Sequence, residues 1–368
     1  MYLKRLEFIN FRNYSRQMIE PDLFFNILTG QNAQGKTNIL ESIYLSCTGK
    51  SFRTAREREI IQWESDFSYI NCLFETDRRQ IEVKIMLKPG QKKIEVNGVM
   101  ARGYPLGWPG VVLFTPDDLV LVKGSPQERR RFLDLEIGPF HPQYGHYLGR
   151  YNRVLSQRNN LLREIREKRL KNNSLQPWNE QFCRYGSKLL FLRLDLLKRL
   201  IPNMRSIHLE LTGGVEDLDI RYLSSLKMDN LATEEEIYER FNEAIRTVEG
   251  EEIARAQSLI GPHRDDLSFF INSSDARIYG SQGQQRTIVL TLKISQIQQW
   301  HNELNEYPIL LLDDVLFELD KGRQKALFNR VRGMVQTFIT STGAENFDME
   351  CEVNKRQYIV SMGKIINK

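Results

Sequence analysis

The sequence predicts an α/β protein: a phosphate-binding domain split in two by a mostly helical insertion. Three observations predict it. An apolar run gives way to a glycine-bearing loop and then to a helical pattern in "ILTGQNAQGKTNILESI", residues 27–43. Far along the chain, a second apolar run ends in paired aspartates in "PILLLDDVLFELD", residues 308–320. Between them lie two long stretches whose apolar residues recur at the helical period of 3.6.

The first element satisfies G-x-x-x-x-G-K-[ST] in full, as Gly30-Gln31-Asn32-Ala33-Gln34-Gly35-Lys36-Thr37. "LFFNILT" before it reads as a buried strand. "TNILESIYLS" after it places Ile39, Leu40, Ile43 and Tyr44 at helical spacing. The glycines let successive backbone N–H groups face one anion, and the helix N-terminus adds partial positive charge at the same spot. Lys36 is expected to reach the β- and γ-phosphates of ATP and the Thr37 hydroxyl to ligate Mg²⁺. With Asn38 these residues form the expected cofactor-binding loop. A chance strand–helix turn is the competing reading, disfavoured by the complete pattern in its required context.

In the second element, residues 309–312 form an apolar strand of the kind buried in a parallel sheet. Asp313 and Asp314 then emerge at its C-terminal end, where open α/β sheets bind ligands. Asp313 is the expected Mg²⁺ ligand, directly or through water. Asp314 is placed to orient or deprotonate an attacking water, so Asp314 and Lys36 are the candidate catalytic residues. Alone, the pair would read better as a solvated acidic turn.

A third element, "YGSQGQQRTIVLTLKIS", has a Gly-Ser-x-Gly-Gln turn at residues 280–284 and then an apolar helix. Ser281, Gly283 and Gln284 sit at another helix start able to receive an anion. Taken by itself, the turn reads more simply as a capped helix N-terminus.

The bulk composition excludes several classes. With 41% hydrophobic and 27% charged residues, the 368-residue chain can bury a core and reads as globular. No apolar run approaches the roughly 18 residues of a membrane span. The opening "MYLKRLEFIN" lacks the basic-then-apolar build of a signal peptide. Cys47, Cys72, Cys183 and Cys351 form no C-x-x-C pair, so free thiols in a reducing cytoplasm are expected.

The order of motifs resembles the ABC-type ATPase head in the branch shared by SMC-like proteins, and more narrowly the RecF family of bacterial DNA replication and repair proteins. The residues that carry this are "LKRLEFINFRNY", "GQNAQGKTNILESIY", "SFRT", "FTPDDLVLVKGSP", "RRRFLD", "GPHRDDL", "SQGQQRT" and "LLLDDVLFELD", in order along nearly the whole chain. The resemblance implies that ATP is sandwiched between two subunits. Ser281 would then act in trans, and Asp320 would lie at the same seam. It further implies an ATP-induced homodimer, DNA binding, RecR and RecO type partners, recombinase loading at gaps and support of the SOS response. Three departures stand out. Asp314 replaces the Glu of transport heads, which implies slow hydrolysis. Thr340, Ser341 and Thr342 stand where many heads present a switch His. Gly280 replaces the usual Leu, and no Q-loop glutamine is evident.

The motif positions make the head discontinuous: residues 1–120 and 254–368, with a helical arm at 121–253. The head should include a hairpin about Lys88-Pro89-Gly90-Gln91 and end in the strand "QYIVSMGKII". In the arm, Tyr147, Tyr151, Val154, Leu155, Arg158, Leu161, Leu162 and Ile165 form one stripe, and Trp178, Phe182, Tyr185, Leu189, Leu192 and Leu196 another, predicting two antiparallel helices. Residues 150–205 hold 14 Lys/Arg against 4 Asp/Glu, a footprint for a phosphate backbone. On the head, Arg53, Arg56 and Arg58 are candidate DNA contacts. The main alternative is the nucleotide-binding subunit of an ABC transporter, which the basic arm disfavours. A P-loop kinase would not need the Ser281 turn, and no extra carboxylate cluster suggests a nuclease.

Overall fold

The computed structural model describes residues 1–101, 108–226, 233–342 and 355–367. Their contacts divide into two compact units, Met1–Asp118 with Val289–Lys368, and Leu119–Ile288.

In the first unit the chain forms β1 (Tyr2–Phe11), β2 (Tyr14–Ile19) and β3 (Phe25–Thr29), then the glycine-bearing loop and α1 (Lys36–Thr48). A one-turn helix α2 (Glu57–Ile60) leads to β4 (Ser68–Glu75), β5 (Gln80–Lys88), β6 (Gln91–Val96), β7 (Val99–Met100) and β8 (Val111–Phe114). The second unit follows with α3 (Val120–Lys123), α4 (Pro126–Ile137), α5 (Tyr144–Arg166), α6 (Gln176–Leu211), β9 (Leu218–Leu223), α7 (Glu234–Arg255), β10 (Asp266–Ile271) and β11 (Ser274–Asp275). Helix α8 (Gln282–Leu304) returns the chain to β12 (Ile309–Leu312), α9 (Lys321–Val331), β13 (Thr337–Ser341), β14 (Lys355–Ser361) and β15 (Lys364–Asn367).

The first unit holds two sheets. One is antiparallel, in the order β2-β1-β4-β5-β6-β7, and contains the expected hairpin with Lys88 opposite Gln91. The other runs β15-β14-β3-β13-β12-β8. Its members from β14 to β8 are parallel to their neighbours, and β15 is antiparallel at the edge. Strands β3, β12 and β13 are buried along their whole length, which explains their unbroken runs of apolar and small residues. Ile39, Leu40 and Ile43 of α1 share one apolar cluster with Leu6 and Phe8 of β1 and with Leu28, Leu311 and Phe338 of the parallel sheet. Helix α1 is thereby held by both sheets. The closing stretch, expected as one strand, is instead the hairpin β14–β15. Met362 (φ 46°) and Gly363 (φ 69°) both adopt the left-handed conformation that a tight two-residue turn requires.

In the second unit α5 and α6 run antiparallel. Tyr144 meets Arg193, Tyr151 stacks on Phe182, and Arg158 bonds Asn179, so contacts ascend one helix as they descend the other. The buried face of α5 is Tyr144, Tyr151, Val154, Arg158, Leu162 and Ile165, whereas Tyr147, Leu155 and Leu161 of the predicted stripe are only half-buried. Helix α7, opened by a Thr233–Glu236 capping box, was not anticipated. Strands β9 and β10 pair from Leu218 opposite Ile271 to Leu223 opposite Asp266. This ladder ties residues 254–288 to the inserted segment rather than to the second part of the head.

The motifs "RRRFLD" and "GPHRDDL" meet in this unit. Arg129 grips both oxygens of Asp266 at 2.7 and 2.9 Å. Arg193, buried, bonds Asp134 at 2.8 Å and the Pro262 carbonyl at 2.7 Å. Asp265 accepts from Ser225 and Tyr222. His263 lies 2.7 Å from Tyr151 Oη, and burial pushes its pKa down to about 4. Arg158 and Glu252 form a wholly buried ion pair. These groups brace the helices against the small sheet.

The same packing changes the charge picture. Arg158 and Arg193 are neutralised inside, and Lys188 and Arg205 pair with Glu234 and Asp219. Residues 119–288 carry 26 Lys/Arg against 23 Asp/Glu, and the rest of the chain 26 against 24. The basic excess of α5 and α6 is therefore largely offset within its own unit.

Candidate nucleotide site

Parallel register brings three strand ends level. Thr29 of β3 stands opposite Ser341 of β13, and Leu312 of β12 opposite Ile339. Each strand then runs into polar residues, so the loop 30–37, the Asp313–Asp314 pair and Thr340 converge on one edge of the sheet.

Glycine is required twice in the loop. Gly30 has φ 158°, and a Cβ there would lie 2.2 Å from the Val360 carbonyl oxygen. At Gly35 (φ 117°) a Cβ would meet Tyr14 Oη at 2.7 Å and the Asn13 amide at 2.8 Å. Gln31, Asn32 and Ala33 face outward and are exposed. Lys36, at the start of α1, is buried and donates from Nζ to the Gly30 and Gln31 carbonyls at 2.7 and 2.9 Å. Burial lowers its pKa, against the pull of Asp314 and Asp313.

Thr37 Oγ1 donates to Asp313 Oδ1 at 2.9 Å. Neighbouring ligands of an octahedral Mg²⁺ at roughly 2.05 Å stand about 2.9 Å apart, so this oxygen pair already has the spacing of two cis ligands. Among the described residues no cluster of three or more His, Cys, Asp or Glu stands ready for a metal. Burial raises the pKa of Asp313, opposed by hydrogen bonds from Thr37 and Thr340. Asp314 adopts φ 53°, and its N–H donates to Thr340 Oγ1 at 2.8 Å.

An outer wall escaped the sequence reading. Glu41 of α1 is fully buried and receives Arg12 through two bonds at 2.8 and 2.6 Å, with Ser51 and Arg53 beside it. Asn13 bridges the Gln34 carbonyl and the Asn38 side chain, and Asn38 in turn accepts from Arg53. The β14–β15 turn reaches the same loop, since Met362 N donates to Gln34 Oε1 at 2.7 Å. The cue in the sequence was "NFRNY", a polar turn between two strands whose Arg12 takes φ 52°. Arg53, Arg56 and Arg58 each have a local partner: Asn38 and Glu41, Glu59, and the Ser65 carbonyl.

Ser281, Gly283 and Gln284 belong to the second unit. Ser281 Oγ accepts from Gln284 N at 3.2 Å, and Gln284 Oε1 accepts from Ser281 N at 2.9 Å, a reciprocal cap on α8. Gln284 also donates to Glu216. In the first unit, Asp320 caps α9 by accepting from Arg323 N at 2.9 Å, and that bond leads in lowering its pKa. Cys47, Cys72 and Cys183 are buried thiols, and Cys351 lies outside the described residues. No helix among the described residues is long and apolar enough to cross a membrane.

A family model described as an AAA domain matches residues 5–330. A relative from Pelotomaculum thermopropionicum named "DNA replication and repair protein RecF" is 62% identical, over 99% of this chain and 100% of its own. One of the same name from Desulforamulus reducens is 49% identical, over 93% and 92%. The solved "Structure of the recombination mediator protein RecF-ATP in RecFOR pathway" superposes with a TM-score of 0.90 at 32% identity, covering 100% of this chain and 97% of that one. An Smc head bound to the C-winged helix domain of ScpA superposes at 0.57 and 15% identity, which speaks to the fold alone.

Proposed function

The chain belongs to the RecF family, and on that premise we propose that it is an ATP-dependent DNA-binding protein of recombinational repair and replication restart. The observation that carries this reading is the convergence of the Gly30–Lys36 loop, the Thr37–Asp313 pair and Asp314 at the ends of β3, β12 and β13.

Backbone N–H groups of residues 30–37 receive phosphate oxygens at the start of α1, and Lys36 balances their charge. Thr37 and Asp313 would hold Mg²⁺, which would supply charge neutralisation for the phosphates. Asp314 orients or deprotonates the attacking water. Its side chain is one methylene shorter than glutamate and holds that water less closely, so hydrolysis is slow and works as a switch. ATP joins two copies, with Ser281 of each acting on the nucleotide gripped by the other and Asp320 at the same seam. DNA stimulates turnover, and RecR and RecO type proteins are the partners in recombinase loading and the SOS response. The setting is cytoplasmic.

Sedimentation with and without ATP, on gapped and plain duplex DNA, tests the reading. ATP should raise the dimer population and DNA should co-sediment with it. An unchanged monomer at saturating ATP would refute it.

A further inference from the structure

We propose that Thr340 is a positioning residue: its single hydroxyl proton makes the orientation of Asp314 depend on whether Asp313 is engaged by a cation. The proposal rests on reading the site as an ATPase.

Thr340 is buried on β13, the strand beside β12. Its Oγ1 accepts from Asp314 N at 2.8 Å. The same oxygen lies 2.9 Å from Asp313 Oδ1 and 3.2 Å from Asp314 Oδ1. A hydroxyl has one proton and can serve one of these carboxylates fully at a time. The nearer acceptor, Asp313 Oδ1, also takes the Thr37 proton. Asp314 meanwhile holds φ 53°, a left-handed conformation that few residues other than Gly, Asn and Asp adopt, and its N–H is anchored on Thr340. One side chain thus fixes the left-handed backbone of Asp314 and stands between two acceptors. When a cation draws on the Asp313 oxygen, that oxygen becomes a poorer acceptor and the Thr340 proton turns to Asp314. The carboxylate proposed to handle water is then aimed only when the cation side is filled.

Thr340→Val keeps the shape and removes the hydroxyl, and Thr340→Ser keeps the hydroxyl. With a fluorescent ATP analogue and Mg²⁺, Thr340→Val should bind within about threefold of wild type, while single-turnover ATP cleavage slows by at least about 30-fold. Thr340→Ser should recover to within about fivefold of wild type. Added to Asp314→Asn, Thr340→Val should cost less than about threefold more, because both act through one carboxylate. An unslowed Thr340→Val, a Thr340→Ser as slow as Thr340→Val, a large loss of nucleotide binding, or additive losses in the double variant would each overturn the assignment. A wild-type chain that neither binds nor cleaves ATP would refute the ATPase reading itself. That result differs from a competent wild type matched by Thr340→Val.

Discussion

Replacing Glu41 with alanine should destabilise the first unit far more than an ordinary surface change. Glu41 is 0% exposed, and the Arg12 side chain facing it is 15% exposed. The guanidinium sends two bonds to the carboxylate, and Ser51 and Arg53 add further donors. Removing one member of such a pair strands a desolvated charge, at a cost of about 3–5 kcal/mol. For a unit near 200 residues each kcal/mol is worth roughly 2–4 °C, so the melting temperature should fall by about 6–20 °C. Glu41→Gln, which keeps the shape and one acceptor, should cost about 1–3 kcal/mol. The double change Arg12→Met with Glu41→Leu should recover most of the loss, because apolar replacement removes both desolvation penalties. Thermal unfolding by circular dichroism measures all three. A cost below about 1 kcal/mol for Glu41→Ala, or a double variant as unstable as the sum of its singles, would refute the reasoning.

Lys36→Ala should abolish binding of a fluorescent ATP analogue while leaving the melting temperature near wild type, since its hydrogen bonds are to loop carbonyls. Ser281→Arg should leave nucleotide binding by the monomer intact and eliminate ATP-driven dimerisation in analytical ultracentrifugation; Ser281→Ala should cost about 1 kcal/mol of helix capping as well. His263 binds its proton near pH 4 when folded but near 6.5 when unfolded. The unfolded state thus holds more protons between those values, and stability should fall as pH drops through that window, by up to about 1.4 kcal/mol per pH unit. Urea midpoints of His263→Gln should show a flatter pH dependence there.

What could be read from the sequence follows from what is local. The Gly30–Thr37 loop, the α1 spacing, the strand ending at Asp313 and the hairpin at Lys88–Gln91 each depend on residues a few positions apart. Pairings between distant residues leave no such trace. Arg129 and Asp266 are separated by 137 positions and Arg158 and Glu252 by 94, and nothing periodic marks either member. Arg158 sits on the apolar stripe of α5, and its spacing says nothing of the carboxylate that meets it. The β9–β10 ladder likewise could not be foreseen, since either strand alone fits any sheet, and its absence from the reading moved the expected boundary to residue 254. The closing hairpin was missed because Ser361-Met362-Gly363-Lys364 carries one glycine and no Asn-Gly or Asp-Gly cue.

Strand β3 is flanked on both sides by β13 and β14. Its partners begin about 310 residues later in the chain, and at roughly 5–20 residues per second a ribosome needs on the order of 15–60 s to make them. During that interval the segment leading into the phosphate loop has emerged with neither edge covered. Translation, not chemistry, therefore sets the earliest moment at which a new copy can hold its nucleotide, and slowing synthesis between β3 and β13 lengthens the time this apolar strand is open to mispairing.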